Sequence, residues 1–258
     1  MGIGLELARR LARDGYQMVL VARGADRLER VAADLGRTYG VGAIALPLDL
    51  ADPAAPATLA AELEHRGIAV DVLVNNAGVG GYGPFAQSEL ARDLAMVRLN
   101  VESLLAVTRF LLPGMLARRR GRIANLASTA AFQPGPNMAV YYASKAFVLS
   151  FSEALAHELA GSGVTVTAVC PGPTRTGFQE ASGLSGRKLP TPLLVPVERV
   201  AEVAYRGIMR GQRIVIPGLG NKVLAVGARL GPRRVVMAVA GWINSRGVGS
   251  GVWYPPSR

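Results

Sequence analysis

The chain has 258 residues, half of them hydrophobic, with a mean hydropathy of +0.27; this is enough apolar material for the core of one large α/β domain and too little length for two. Its net charge of +11 is almost all arginine, and outside Arg118, Arg119, Arg120 and Arg122 the guanidinium groups are scattered with no interleaved aromatic residues, which argues against a nucleic-acid track. One cysteine (Cys170) and two histidines (His65, His157) argue against a disulfide framework and a metal cluster, and no basic segment followed by an apolar run reads as a secretory signal, so a cytoplasmic setting is expected.

In chain order, "GIGLELARRLARD" at 2–14 reads as a glycine-rich turn opening a helix at 3–14, because Ile3, Leu7 and Leu11 share a face. Strands are then expected at 18–22, 43–48, 70–74, 122–126, 164–169 and 213–216, with helices at 26–36, 53–66, 87–117, 139–160 and 198–210 between them. The strand segments are almost continuously apolar, as strands covered on both faces must be. The expected fold class is therefore α/β: a Rossmann-like, doubly wound parallel sheet over 1–218, with 219–258 as an apolar and basic extension rather than a second domain. No strand precedes the first turn. In a doubly wound sheet that strand lies between those at 18–22 and 70–74, so a gap of two strand spacings, roughly 9.6 Å, is expected there. Filling it would take about 8 to 15 further residues upstream of Met1.

The chemistry-bearing residues fall at the carboxyl ends of these strands, where open α/β sheets bind ligands. Gly2, Ile3 and Gly4 open a helix whose first N–H groups suit a pyrophosphate, although a glycine pair alone marks any tight turn. Arg23 ends the strand at 18–22 with no acid until Asp26, which favours a 2′-phosphate over free ribose hydroxyls. Asp49 and Leu50 follow the next strand; Asp49 suits an adenine amino group or, equally, a turn or helix cap. "NNAG" places Asn76, Ala77 and Gly78 after the strand at 70–74. Tyr141 and Lys145, four apart, share a helix face among alanines and serines with no acid nearby, so a buried ammonium would stabilise the phenolate and draw the tyrosine pKa down towards 7. Tyr142 points away and is assigned to packing. Ser128, at the end of "RIANLAST", could bond the same substrate oxygen, and Asn100, within the long apolar helix, could hold a water that relays protons to the lysine.

Taken in order, "GIG", "NNAG", Asn100, Ser128, "YYASK" and "PGPTRT" at 171–176 resemble the classical short-chain dehydrogenase/reductase family over almost the whole chain. The resemblance implies that Tyr141 donates the proton, Lys145 lowers its pKa and binds the nicotinamide ribose, Ser128 orients the carbonyl and Asn100 supports the relay. It also implies that Pro171, Gly172, Thr174 and Thr176 lie beside the nicotinamide. The expected cofactor is NADP(H) in preference to NAD, with no metal. The expected reaction interconverts an apolar ketone or aldehyde and its alcohol; the alternative is a nucleotide-binding relative with little or no turnover, since the glycine motif is incomplete.

At the substrate end, 177–196 carries Phe178, Leu184, Leu189, Leu193 and Leu194 among glycines and prolines and reads as a lid, with Phe132 and Met138 as further apolar pocket residues. The segment 221–243 is apolar but broken by Arg229, Pro232, Arg233 and Arg234, too short on either side to span a bilayer. A subunit contact or a cover over the pocket is preferred for it, with a peripheral membrane contact as the other reading, and a homo-oligomer is expected.

Overall fold

Gly2, in extended backbone, caps α1 (Ile3–Arg13) in the computed structural model, which describes residues 2–174 and 194–245. β1 (Met18–Ala22) and β2 (Ala43–Pro47) pair in parallel, Met18 opposite Ala43 through Ala22 opposite Pro47. β3 (Val72–Asn75), β4 (Gly121–Leu126), β5 (Val164–Val169) and β6 (Ile214–Val215) form a second parallel sheet in that order. The helices between them are α2 (Ala25–Tyr39), α3 (Ala55–His65), α4 (Leu90–Val97), α5 (Ser103–Ala117), α6 (Ala139–Glu158) and α7 (Val197–Met209), followed by α8 (Leu219–Leu230) and α9 (Arg233–Ser245).

Alternation along β1 explains its unbroken apolar run. Met18 and Leu20 face α1 and α2 beside Ala8, Ala12 and Leu35, whereas Val19 and Val21 face α3 and α5 beside Leu59, Leu63 and Val107. The same holds in the larger sheet, where Leu7 of α1 and Ala201, Ala204 and Ile208 of α7 bury Ala124, Leu126 and Val169. On the opposite face Met115 of α5 and Leu155 of α6 bury Ile123, Val164 and Val166.

The expected gap is present. Among the described residues no strand joins the two sheets, and the facing edges of β1 and β3 line one cleft. Both edge strands are only part-buried along their length, while β4 and β5 are buried at nearly every position.

The continuous helix from Leu90 to Ala117 is long and apolar enough, by length and composition, to cross a membrane. Leu104, Val107 and Met115 are nevertheless buried against the sheet and its neighbours, which is the position of a core helix. It contains a π turn over Arg98–Glu102, a wide turn that rotates Asn100 inward to 1% exposure. The segment 221–243, expected to be broken at Arg229–Arg234, forms two helices that divide there, because Gly231 and Pro232 end the first and Pro232 precedes the second.

Candidate active site

A cleft of about 1610 Å³ runs along the carboxyl ends of β1 to β5 and into the gap between the sheets. Gly2, Ile3, Gly4, Arg23, Asp49, Leu50, Asn76, Ala77, Gly78, Ser128, Tyr141, Lys145, Pro171, Gly172 and Thr174 all line it, while Asn100 is packed just behind. Thr176 and residues 177–193 of the expected lid lie outside the described residues.

The floor is set by a polar ladder that the sequence reading did not single out. Asn75 Nδ2 donates to Thr108 Oγ1 at 2.9 Å and to Asn125 Oδ1 at 2.8 Å, Asn125 Nδ2 donates to Ser152 Oγ at 2.9 Å, and Ser152 Oγ donates to the Val148 carbonyl at 2.6 Å. These bonds tie β3, β4, α5 and α6 together below the Asn76–Gly78 loop, and each buried amide has a partner, as burial requires. Above the floor Asn100 fixes that loop. Its Oδ1 accepts from the Val79 N–H at 2.9 Å, and its Nδ2 donates to the Val79 carbonyl at 2.9 Å and to Ser144 Oγ at 3.0 Å. Both amide hydrogens are therefore committed to protein, and the Asn100 side chain positions the loop.

Ser128 ends β4 and caps the 3₁₀ turn Thr129–Phe132, its Oγ accepting from the Ala130 N–H at 3.1 Å and donating to the Pro171 carbonyl at 3.4 Å. The Ser128 hydroxyl also stands near enough to the Tyr141 phenol to favour its ionisation. Tyr141 is 8% exposed and Lys145 5%, one turn apart on α6. Lys145 Nζ donates to the Leu126 carbonyl at 2.7 Å and stands 6.0 Å from the Tyr141 ring centroid. No carboxylate is among its hydrogen-bond partners in the described residues.

This geometry corrects one expectation. Burial pushes the Tyr141 phenol up to about 12, against the smaller opposing effect of the Ser128 hydroxyl, and the lysine does not draw it down. Burial likewise pulls Lys145 down to about 8. Desolvation outweighs attraction here because the ammonium is directed at the Leu126 carbonyl rather than the phenol oxygen. The tyrosine is thus a protonated, neutral donor at neutral pH.

The remaining cleft residues suit an extended dinucleotide. Arg23 is exposed at the end of β1. The first N–H groups of α1 have no intrahelical acceptor, and a Cβ at Gly4 would lie 2.6 Å from Asn76 Nδ2, so glycine lets the helix start approach the Asn76 side chain where it stands. A Cβ at Gly78 would stand 3.1 Å from Asn100 Oδ1 and 3.4 Å from Lys145 Nζ, and one at Gly172 would collide with Asn221. Asp49 uses its Oδ1 to accept from the Ala51 N–H at 3.0 Å, the turn role its sequence allowed, while still lining the cleft. Thr174 Oγ1 donates to the Gly172 carbonyl at 3.0 Å, bracing the loop after β5.

At the substrate end Met138 lines the cleft, but Phe132 does not. It packs into the core beside Leu104 and Val148, with the Arg229 guanidinium 5.1 Å from its ring centroid. The far wall comes from α9. Tyr82 Oη donates to the Asn244 carbonyl at 2.6 Å, and Asn244 Nδ2 donates to the Pro136 carbonyl at 3.0 Å and to Tyr142 Oη at 3.4 Å. Tyr142 therefore anchors the carboxyl segment as well as packing on Gly135. The only sequence signal for this wall was an asparagine at the end of an apolar run.

The sequence profile of the short chain dehydrogenase family matches residues 1–185. The chain is 45% identical over 176 residues to a protein of Streptomyces coelicolor named as a ketoacyl reductase, and the alignment spans 66% of each, about two thirds of that relative's length. Among solved structures it is similar to a short-chain dehydrogenase from Sphingobium yanoikuyae in complex with NADPH, with TM-score 0.79, 35% identity and 89% and 90% of the two chains covered. It is also similar to a bulky-bulky ketone specific alcohol dehydrogenase from Comamonas testosteroni, with TM-score 0.74, 30% identity and 84% and 82% covered. With these matches joined to the parallel α/β fold, the chain belongs to the short-chain dehydrogenase family of oxidoreductases.

Proposed function

We propose that this protein reduces an apolar ketone or 3-oxoacyl compound with NADPH, and that the reverse oxidation uses the same site. The observation that carries this reading is the buried Tyr141 with part-buried Ser128 beside it and a buried lysine one turn away that has no carboxylate partner, all on one cleft at the carboxyl ends of the strands. Bound at Arg23, the α1 N-terminus, the Asn76–Gly78 loop and Lys145, NADPH supplies the hydride. Ser128 holds the carbonyl oxygen in reach of the Tyr141 Oη, which gives up its proton as negative charge develops on that oxygen. Lys145 lines the same cleft one turn away on α6, where with the nucleotide bound its ammonium would offset the negative charge left on the phenol oxygen. The name of the Streptomyces protein supports a 3-oxoacyl substrate and that of the Comamonas protein a bulky ketone, in keeping with Met138, Tyr142 and Ile243 on the walls. Exposed Leu90, Leu94 and Phe110 on α4 and α5 offer an apolar face for the homo-oligomer expected from the sequence.

The direct test is NADPH oxidation across a panel of apolar ketones and 3-oxoacyl thioesters, with Tyr141→Phe as the control. Cofactor choice follows from Arg23, whose guanidinium forks onto a 2′-phosphate. NADPH is expected to bind at least about tenfold more tightly than NADH, about 1.4 kcal/mol, and Arg23→Ala to erase that ratio. Equal affinities in the parent protein, measured by fluorescence titration, would contradict the assignment.

A further inference from the structure

We propose that α8 and α9 form an interfacial hairpin that docks this protein on an anionic lipid membrane. Each helix touches the body along one narrow stripe, Asn221 and Ala225 on α8 and Ala240 and Asn244 on α9. The opposite stripes are apolar and open to solvent. On α8 these are Leu219, Val223, Val226 and Leu230, at 79%, 65%, 54% and 82% exposure, spaced four, three and four residues apart. On α9 they are Val235, Val239 and Trp242, spaced four and three, at 57%, 46% and 56%. An apolar stripe left open to solvent needs a second apolar surface, and these seven large outward side chains exceed the scatter of single exposed residues that soluble surfaces tolerate.

Charge selects the occupant. After Glu202 the sequence has no acidic residue, while Lys222, Arg233 and Arg234 are exposed on the hairpin. An apolar stripe flanked by cations and carrying a tryptophan is the composition that seats at an anionic headgroup layer. A second copy is the poorer partner, because a twofold contact between identical hairpins sets cation against cation with no carboxylate on either helix. The helices have 12 and 13 residues, about 18 to 20 Å long, too short to cross the hydrocarbon core and suited to lying on its surface. The placement is coherent with the cleft, since Ile243 and Asn244 line it from the inner side of the same α9. The docking face and the pocket wall are thus two sides of one helix, which positions the mouth to receive apolar substrates from the lipid phase.

The test is sedimentation of the full chain with phosphatidylcholine vesicles, with and without roughly one third phosphatidylserine. Strong co-sedimentation with the anionic vesicles, weakened by high salt and at least about tenfold lower with neutral ones, is the expected result. Leu219→Glu/Val223→Glu/Leu230→Glu changes only the outer stripe and should abolish it, while Arg233→Gln/Arg234→Gln should remove the preference for phosphatidylserine with the apolar stripe intact. Thermal melts by circular dichroism check that both variants fold. Equal partition to both vesicle types, binding unaffected by the triple substitution, or no vesicle binding together with a dimer that the triple substitution splits would overturn the proposal; the last would mark the face as a subunit contact.

Discussion

Tyr141→Phe will lower turnover of an apolar ketone by about 10²- to 10⁴-fold, the usual worth of a positioned proton donor. The substitution keeps the ring, and with it the edge-on contact with Tyr142 at 6.0 Å between centroids, so the cleft should hold its shape. The hydroxyl is removed, together with its interaction with Ser128. The stability change should stay near 1 kcal/mol, and NADPH affinity should be little altered. Ser128→Ala should also reduce turnover while costing additional stability, because that side chain caps the turn after β4 as well. If Tyr141→Phe keeps more than about a tenth of parental turnover, the tyrosine is not the donor.

Lys145→Met is expected to do two opposite things at once: remove most turnover and raise the melting temperature of the nucleotide-free protein at pH 7. Burial lowers the folded pKa of Lys145 from 10.5 to about 8, so holding it charged below pH 8 costs the fold about 3 kcal/mol. The substitution removes that cost but leaves the Leu126 carbonyl without its donor, a loss of about 1 to 2 kcal/mol. A net gain of about 1 to 2 kcal/mol corresponds to about 2 to 6 °C in a domain of this size. The sign of the pH dependence follows from proton counts. Between pH 8 and 10.5 the unfolded lysine binds more protons than the folded one, so the parent protein gains stability as pH rises and the advantage of Lys145→Met shrinks. Tyr141, raised from 10 to about 12, acts in the opposite sense, but only above pH 10. Burial likewise pushes the Cys170 thiol from 9 up to about 12, which opposes the lysine from about pH 9 upward, so the difference between parent and Lys145→Met, in which the cysteine cancels, isolates the lysine. A variant less stable than the parent at every pH would show that Lys145 is a structural anchor rather than a strained functional group.

How much of this was legible depended on whether the deciding force was local. Strands 18–22 and 164–169 coincide with the observed elements, because continuous runs of Val, Leu and Thr bounded by turns leave few other conformations. The gap between β1 and β3 was legible because strand pairing leaves no freedom about where an absent partner belongs. The helical hairpin was not: the apolar stripes of α8 and α9 point outward and their body-facing stripes carry asparagine and alanine, the reverse of the pattern that marks a helix packed on a core. Tyr141 and Lys145 were recognisable from their four-residue spacing, but that spacing fixes a shared face and not the direction of an ammonium. The Leu126 carbonyl, 19 residues away in sequence, takes the proton donor that the phenol was expected to feel. Asn100 was found for its position in an apolar helix, yet its burial depends on a π turn that no local pattern announced. The Asn75, Asn125 and Ser152 ladder spans three elements and exists only once the sheet has formed.

The central claim is that this cleft carries a hydride from NADPH to a carbonyl carbon while Tyr141 supplies the proton. The measurement that tests it most directly is mass spectrometry of the alcohol formed from an apolar ketone and NADPH deuterated at the reactive nicotinamide carbon. The account predicts that deuterium appears on the carbinol carbon and that Tyr141→Phe forms this product at least about 100 times more slowly. Product formed without the label, or no product from any ketone or 3-oxoacyl thioester despite NADPH binding, would contradict it.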